Sequence, residues 1–162
     1  RQDEIAIKIA LKNKIKNFAL SFTNNAQDIH KFNKLLPGCR KIFKLETMRA
    51  IKNLNSIMSS GKDFLIDRGD LSKETTIEKI PFYQKLILKK ANIKKVNVFV
   101  ATNFLESMMK NPYPTRGEAN DIYTTLVDGA KGLVLAGETA VGKYPRECVQ
   151  FLGKIIKVFK SH

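Results

Sequence analysis

The sequence predicts an α/β chain of about five βα units around a parallel sheet, and three observations carry that expectation. Helix-length stretches with apolar residues on one face alternate with short runs rich in Val, Ile, Leu and Phe. Two of those runs, Val96–Ala101 and Lys131–Ala136, end in small polar or charged residues, Ala101-Thr102-Asn103 and Gly137-Glu138-Thr139. A buried parallel strand reads this way when it delivers functional groups at its carboxyl end. Between the two runs, Asn111-Pro112-Tyr113-Pro114-Thr115-Arg116-Gly117-Glu118 combines two prolines with a Thr and a Glu three apart. That pattern predicts an extended crossing into a helix closed by a capping box.

Taken in order, Asp3–Lys14 places Ile5, Ile9 and Leu11, with Ile15, on one side of an amphipathic helix. Asn17–Phe22 reads as a strand, and Asn25–Leu36 as a helix stopped by Pro37-Gly38. Arg40–Leu45 is the next strand, Met48–Ser59 a helix ending before Gly61, and Asp63–Asp67 a third strand. A polar loop leads to a long helix over Ile77–Asn92 and a fourth strand over Val96–Ala101. A helix over Asn120–Gly129, a fifth strand over Lys131–Ala136 and a closing helix over Pro145–Phe159 complete the series. No shift in composition marks a linker, so residues 1–162 are expected to form a single domain.

Composition narrows the function class. With 43% hydrophobic and 27% charged residues, the chain has enough apolar side chains for a core and is not of the disordered type. No apolar stretch reaches the ~20 residues needed to span a bilayer, and no signal peptide is evident, so no membrane partner is expected. Cys39 and Cys148 lie far apart without metal-type spacing and are expected to be buried free thiols in a reducing compartment. A net charge of +14 raises nucleic acid as a partner. However, only six of the 29 basic residues are Arg, the Lys residues are scattered, and no nucleic-acid motif is present. A solvated Lys-rich surface is expected, with polyanion binding confined to low salt. The start at Arg1 rather than Met suggests an excised or processed piece.

Lys44 and Glu46, two apart on a strand, project to the same face at its carboxyl end, and Asp70 follows the next strand. Two carboxylates from adjacent strand ends can hold a divalent cation such as Mg²⁺. A lysine beside them can neutralise charge on a phosphoryl group in flight. By themselves these residues fit structural ion pairs as well. His30 lies on a polar helix face and His162 is the last residue, so neither is a catalytic candidate.

The wording of several segments resembles the pyruvate kinase family. Ala101-Thr102-Asn103 and the residues after it match A-T-Q-M-L-E-S-M, and Asn111–Glu118 matches N-P-R-P-T-R-A-E. Asp128-Gly129-Ala130-Lys131 matches D-G-A-D, and Ala136–Pro145 matches S-G-E-T-A-K-G-D-Y-P. Phe43-Lys44-Leu45-Glu46-Thr47 stands where the family has S-K-I-E-N, and Ile66–Ser72 where it has V-A-R-G-D-L-G. The resemblance implies strands four to eight of an eight-stranded (β/α) barrel, a partial TIM barrel. The first three strands, the lid domain and the C-terminal regulatory domain would be absent from this stretch. It also implies a glycolytic phosphotransferase that converts phosphoenolpyruvate and ADP to pyruvate and ATP, with Mg²⁺ or Mn²⁺ and K⁺. The fragment is expected to be inactive alone. The alternative is a catalytically degraded homologue with a structural or regulatory role.

By the same resemblance, Lys44 steadies the transferring phosphoryl group and Glu46 and Asp70 hold the metal. Gly69 offers its N–H to the substrate carboxylate, and Arg68, Asp70 and Ser21 help bind substrate, Ser21 with Phe22 shaping the floor. Thr102 lies near the enolate carbon, where a water delivers the proton. Arg116, Glu118 and Asp121 are expected to be structural, as a capped helix with an ion pair. Glu138 is expected to orient Arg68 or Lys44. The sequence departs from the family at several positions. Asp67 replaces an alanine beside the methyl end of pyruvate, and its charge should weaken binding of an anion unless Arg68 or the metal neutralises it. Val141 replaces a lysine used toward the nucleotide, with Lys143 as a partial substitute. Phe43, Thr47, Asn103 and Ala136 also differ. The arginine and the K⁺ ligands of the second and third strands fall outside this stretch. A partial barrel leaves uncovered edges, so completion by another chain, a second copy or further residues is expected. A cytoplasmic location is expected. The Lys, Asn and Ile bias suggests a parasite plastid as the alternative.

Overall fold

A computed structural model describes residues 2–161. Five strands form one sheet in the order β1-β2-β3-β4-β5, every neighbouring pair parallel. They are β1 (Asn17–Leu20), β2 (Arg40–Leu45), β3 (Asp63–Asp67), β4 (Asn97–Ala101) and β5 (Gly132–Val134). The helices are α1 (Gln2–Lys12), α2 (Ala26–Leu35), α3 (Met48–Lys52), α4 (Leu54–Ser60), α5 (Arg68–Glu74), α6 (Ile80–Lys94), α7 (Arg116–Val127), α8 (Gly137–Ala140) and α9 (Pro145–Ser161). The sequential strand order with helical crossovers is that of a barrel wall, and β1 and β5 are left as its two free edges.

Alternation along the strands sorts the side chains into two layers. Phe43, Leu45, Phe64, Ile66, Val98 and Val100 are buried in one core cluster with Ile29 and Phe32 of α2, Ile57 of α4 and Ile87 of α6. Phe32 meets Phe43 edge-on at 6.2 Å between ring centroids, and Phe43 lies 6.0 Å from Phe64. Ala19, Ile42, Leu65, Phe99 and Leu133 line the other side, a trough of about 560 Å³. In that trough, a Cβ on Gly132 would stand 2.8 Å from the Phe99 ring, so glycine at the start of β5 leaves that ring its place across the pair.

Local chemistry explains where the elements differ from the sequence expectation. The strand expected over Asn17–Phe22 ends at Leu20, and Phe22 takes a left-handed conformation with φ of 52°. The helix expected over Met48–Ser59 is two helices, because Asn53 leaves helical geometry and its side-chain amide donates to the Asn24 carbonyl at 2.8 Å. The polar loop expected after β3 is helix α5, capped by Asp67, whose Oδ1 accepts from the Asp70 N–H. The helix expected over Asn120–Gly129 begins at Arg116, at the Thr115–Glu118 capping box that the sequence also indicated. It ends before Gly129, whose φ of +101° favours glycine.

Helix α1 forms, but its apolar stripe is not buried. Ile5 and Ile9 are 57% and 58% exposed, and only Ile7 packs against the core. The stripe precedes edge strand β1, and no described element covers it. Cys148 is buried, whereas Cys39 is only half-buried. No helix among the described residues is long and apolar enough to cross a membrane.

The open trough and the bare α1 stripe have a measurable consequence. Residues 1–162 produced alone are expected to bind a hydrophobic dye and to self-associate in light scattering. A compact, dye-silent monomer would show that neither face needs a cover.

Candidate functional site

Parallel register places the carboxyl ends of β2 and β3 side by side, with Lys44 opposite Leu65. Lys44 and Glu46 share a face, and Asp67 closes β3 one strand over. Their side chains converge. The Lys44 ammonium lies 2.9 Å from Glu46 Oε2, 3.0 Å from Asp67 Oδ2 and 3.9 Å from Asp70 Oδ2. The Lys44 side chain is 20% exposed, and that of Glu46 is completely buried.

Each carboxylate divides its two oxygens in the same way. Glu46 Oε1 accepts the Phe22 N–H at 2.7 Å, Asp67 Oδ1 accepts the Asp70 N–H at 3.3 Å, and Asp70 Oδ1 accepts from Lys73 at 2.8 Å. The second oxygen of each faces Lys44. One set of bonds therefore fixes the carboxylates in place, and the other leaves three oxygens directed at one point.

The electrostatics follow from this crowding. Burial alone would lower the Lys44 pKa, but hydrogen bonds to Glu46 and Asp67, with their charges, raise it above the ordinary lysine value. One close ion pair at an effective dielectric near 20 is worth about 4 kcal/mol gross, while desolvating an ion costs several. Two close carboxylates are thus enough to keep this ammonium charged. The hydrogen bond from Lys73 holds the Asp70 carboxyl below its ordinary range.

The same set suits a hard divalent cation. Ligand oxygens of Glu46, Asp67 and Asp70 lie within 4.8 Å of one another, close to what a six-coordinate oxygen site needs. Glu46 Oε2 is buried, and its partner is the Lys44 ammonium at 2.9 Å. Three carboxylates against the Lys44 and Lys73 ammoniums leave one negative charge in excess, which favours a further cation.

A second cluster lies at the end of β4. Thr102 and Asn103 have φ of 76° and 56°, a conformation that costs a β-branched residue about 1–3 kcal/mol. Several bonds hold Thr102 there. Its hydroxyl donates to the Ala101 carbonyl at 2.6 Å and accepts the Gly69 N–H at 3.0 Å. Its carbonyl accepts from Arg68 Nε at 3.0 Å and from Nη2. Arg68 also pairs with Asp121 at 2.7 Å and lies 4.1 Å from the centre of the Phe104 ring.

The expected site residues therefore fall into groups. Lys44, Glu46 and Asp70 come together, and Asp67 joins them. Thr102 and Gly69 bond to each other, with Arg68 behind them. Arg68 points to β4 and α7, so of the two neutralising partners the sequence offered for Asp67, Arg68 or a metal, Arg68 is turned away, and Lys44 lies against it instead. Ser21 is exposed and lines a separate hollow of about 300 Å³ with Asp28 and Lys31. Val141 and Lys143 are exposed on the loop after α8.

Comparisons with known proteins bear on what this arrangement is. A family model described as "Pyruvate kinase, barrel domain" matches residues 1–149. The pyruvate kinase of Methanocaldococcus jannaschii is 38% identical over 160 residues, covering 96% of this chain and 36% of the relative. That of Thermotoga maritima is 39% identical over 163 residues, covering 96% and 34% respectively. The chloroplastic pyruvate kinase isozyme G of Ricinus communis is 38% identical over 150 residues, covering 90% and 36%. The chain belongs to the pyruvate kinase family. It spans about a third of the length of these relatives, and its five parallel strands form part of the pyruvate kinase barrel domain.

Two acidic residues of this pyruvate kinase segment hold loops together, one in a role the sequence did not indicate and one beyond the cap it did. Glu138 orients neither Arg68 nor Lys44. It is buried, with Oε1 accepting the N–H groups of Phe104 and Leu105 at 3.1 and 3.2 Å and Oε2 that of Ala136 at 2.8 Å. Backbone amides of the loops after β4 and β5 reach it first. Glu118 joins two segments in the same way, accepting the N–H groups of Ser107 and Thr115, each at 2.7 Å. Asp121 does form an ion pair, with Arg68. A sequence signal for Glu138 exists in hindsight, as an acid flanked by Gly and Thr at a helix start.

Burial raises the Glu138 pKa and its four backbone hydrogen-bond contributions lower it, with the net result below the ordinary value of 4.5. Its stabilising contribution is therefore complete above pH 4.5 and is lost as pH falls through the lower folded value. In Glu138→Gln an amide donor faces backbone donors. This variant is expected to lose about 1–3 kcal/mol at neutral pH and to show a shallower fall of unfolding midpoint below pH 4.5. Thermal melts from pH 3 to 7 check both effects.

Proposed function

We propose that this segment carries the cation-binding and phosphoryl-stabilising edge of a site that converts phosphoenolpyruvate and ADP to pyruvate and ATP. The observation that supports it most is the convergence of Lys44, Glu46 and Asp70 at the ends of adjacent strands. Glu46 and Asp70 would hold Mg²⁺ or Mn²⁺, which when bound draws phosphoryl oxygens and neutralises their charge. Lys44 would lie alongside the moving phosphoryl group and stabilise the charge that builds on it.

The β4 end then serves the three-carbon product. The Thr102 hydroxyl, fixed by Ala101 and Gly69, would orient the water that protonates the enolate carbon. If that hydroxyl turns, the Gly69 N–H becomes free for the substrate carboxylate. Arg68 acts here as a positioning residue, donating directly to the Thr102 carbonyl while Asp121 and Phe104 hold the guanidinium in place. Ser21 faces the hollow beside Asp28 and Lys31 and is left out of this pocket, while the neighbouring Phe22 amide anchors Glu46. The K⁺ ligands and the rest of the barrel wall would come from further chain or a second copy, giving an oligomeric assembly. We place the protein in the cytoplasm, with a plastid as the second choice, since the relatives from Ricinus communis and Arabidopsis thaliana are chloroplastic.

One observation favours a second reading, a degraded homologue with a structural or regulatory role. Asp67 grips Lys44 at 3.0 Å, where a bound substrate would need it free. Pyruvate formation by the longest natural chain carrying this segment separates the two. Lys44→Met is expected to lower kcat by roughly 10²–10³-fold with little change in KM for phosphoenolpyruvate. Equal rates, or no rate in either protein, would favour the degraded reading. A rate gained by Asp67→Ala in an inactive parent would mark that carboxylate as the obstacle.

A further inference from the structure

We propose that Asp67 is a third carboxylate ligand of the divalent cation, and that this cation and the Lys44 ammonium exchange places among the same three oxygens. The inference rests on the cation-site reading above and adds to it a residue that the family pattern does not supply.

Three observations carry it. First, Asp67 divides its oxygens as Glu46 does, with Oδ1 held by a backbone amide and Oδ2 turned to Lys44. Second, the three ligand oxygens lie within 4.8 Å of one another, so one cation can reach all of them after small side-chain movements. Third, the Glu46 side chain is fully buried and its Oε2 points into the cluster, where the Lys44 ammonium at 2.9 Å is its partner. A buried carboxylate oxygen so placed needs a positive charge against it, whichever cation supplies it.

The ammonium stands among the oxygens that a divalent ion would take, 2.9, 3.0 and 3.9 Å from the three carboxylates. Two positive centres cannot share so small a space. Entry of the cation therefore releases Lys44 from Asp67, and the freed side chain is then available to a phosphoryl group. On this view Asp67 serves two states of the site: it neutralises Lys44 when the cation is absent and binds the cation when it is present. A third formal negative charge also strengthens the hold on the ion, since ligand charge count sets affinity in oxygen sites.

The test is Mn²⁺ binding without nucleotide or phosphoenolpyruvate, followed by the electron paramagnetic resonance signal of free Mn²⁺, on the longest natural chain carrying this segment. Asp67→Asn and Asp67→Ser both keep a helix-capping side chain while removing the charge, and circular dichroism verifies their fold. Both are expected to weaken Mn²⁺ binding roughly tenfold or more, the scale lost when even an outer partner of a metal site is removed. Lys44→Met is expected to tighten it by removing the competitor. If both Asp67 variants bind Mn²⁺ like the parent while Glu46→Gln or Asp70→Asn weakens binding, Asp67 is not a ligand and the cation site survives. If Glu46→Gln and Asp70→Asn also bind like the parent, the cation site itself fails and the proposal with it. A Lys44→Met protein that binds Mn²⁺ no more tightly than the parent overturns the exchange.

Discussion

The shared ammonium of Lys44 is the contact on which the carboxyl edge of the sheet depends. Glu46 is buried, and an unpaired buried carboxylate would be costly enough to become protonated or to force the strand ends apart. Lys44 removes that cost for Glu46 and Asp67 together, and parallel pairing of β2 with β3 brings the three within reach. The strand register and the charge balance are thus one constraint. A slip of one residue would turn Lys44 and Glu46 into the helix-facing core and bring Phe43 and Leu45 into the trough.

Acidic side chains do most of the joining at this edge. Asp28, Glu46, Asp67, Glu118 and Glu138 each accept at least one backbone N–H from a loop or helix start. In a chain with 15 acidic residues against 29 basic ones, several of the few acids are thus committed to holding loops. The basic surplus lies largely on exposed surface, where it adds solubility but little stability. At the opposite end of the sheet Asp63 does the joining through side chains, accepting from Arg40 at 3.3 Å and from the Asn97 amide at 2.7 Å.

The two faces of the sheet set what the molecule lacks. Its helix-facing side is filled by the aromatic chain Phe32, Phe43 and Phe64 and by aliphatic residues of α2, α4 and α6. The trough side is lined by Ile42, Leu65 and Phe99 without a facing layer among the described residues. In a closed barrel such side chains meet those of the opposite strands. The candidate site lies at the carboxyl rim of that trough, so anything that completes the wall also bounds the site.

Sequence by itself determined the order of the elements, the parallel sheet and the pairing of Lys44 with Glu46, because alternation and helical spacing are local properties of the chain. It also made Thr115 with Glu118 readable as a cap, for the same reason. Only the tertiary structure decided the partners of Asp67, Arg68 and Glu138. Asp67 looked like an obstacle, yet it neutralises Lys44 and caps α5. Arg68 turned to Thr102 and Asp121, and Glu138 took three amides from loops that meet only when β4 and β5 pair. A charged side chain goes to whichever opposite charge or donor lies nearest in space, and that distance is set by strands far apart in sequence.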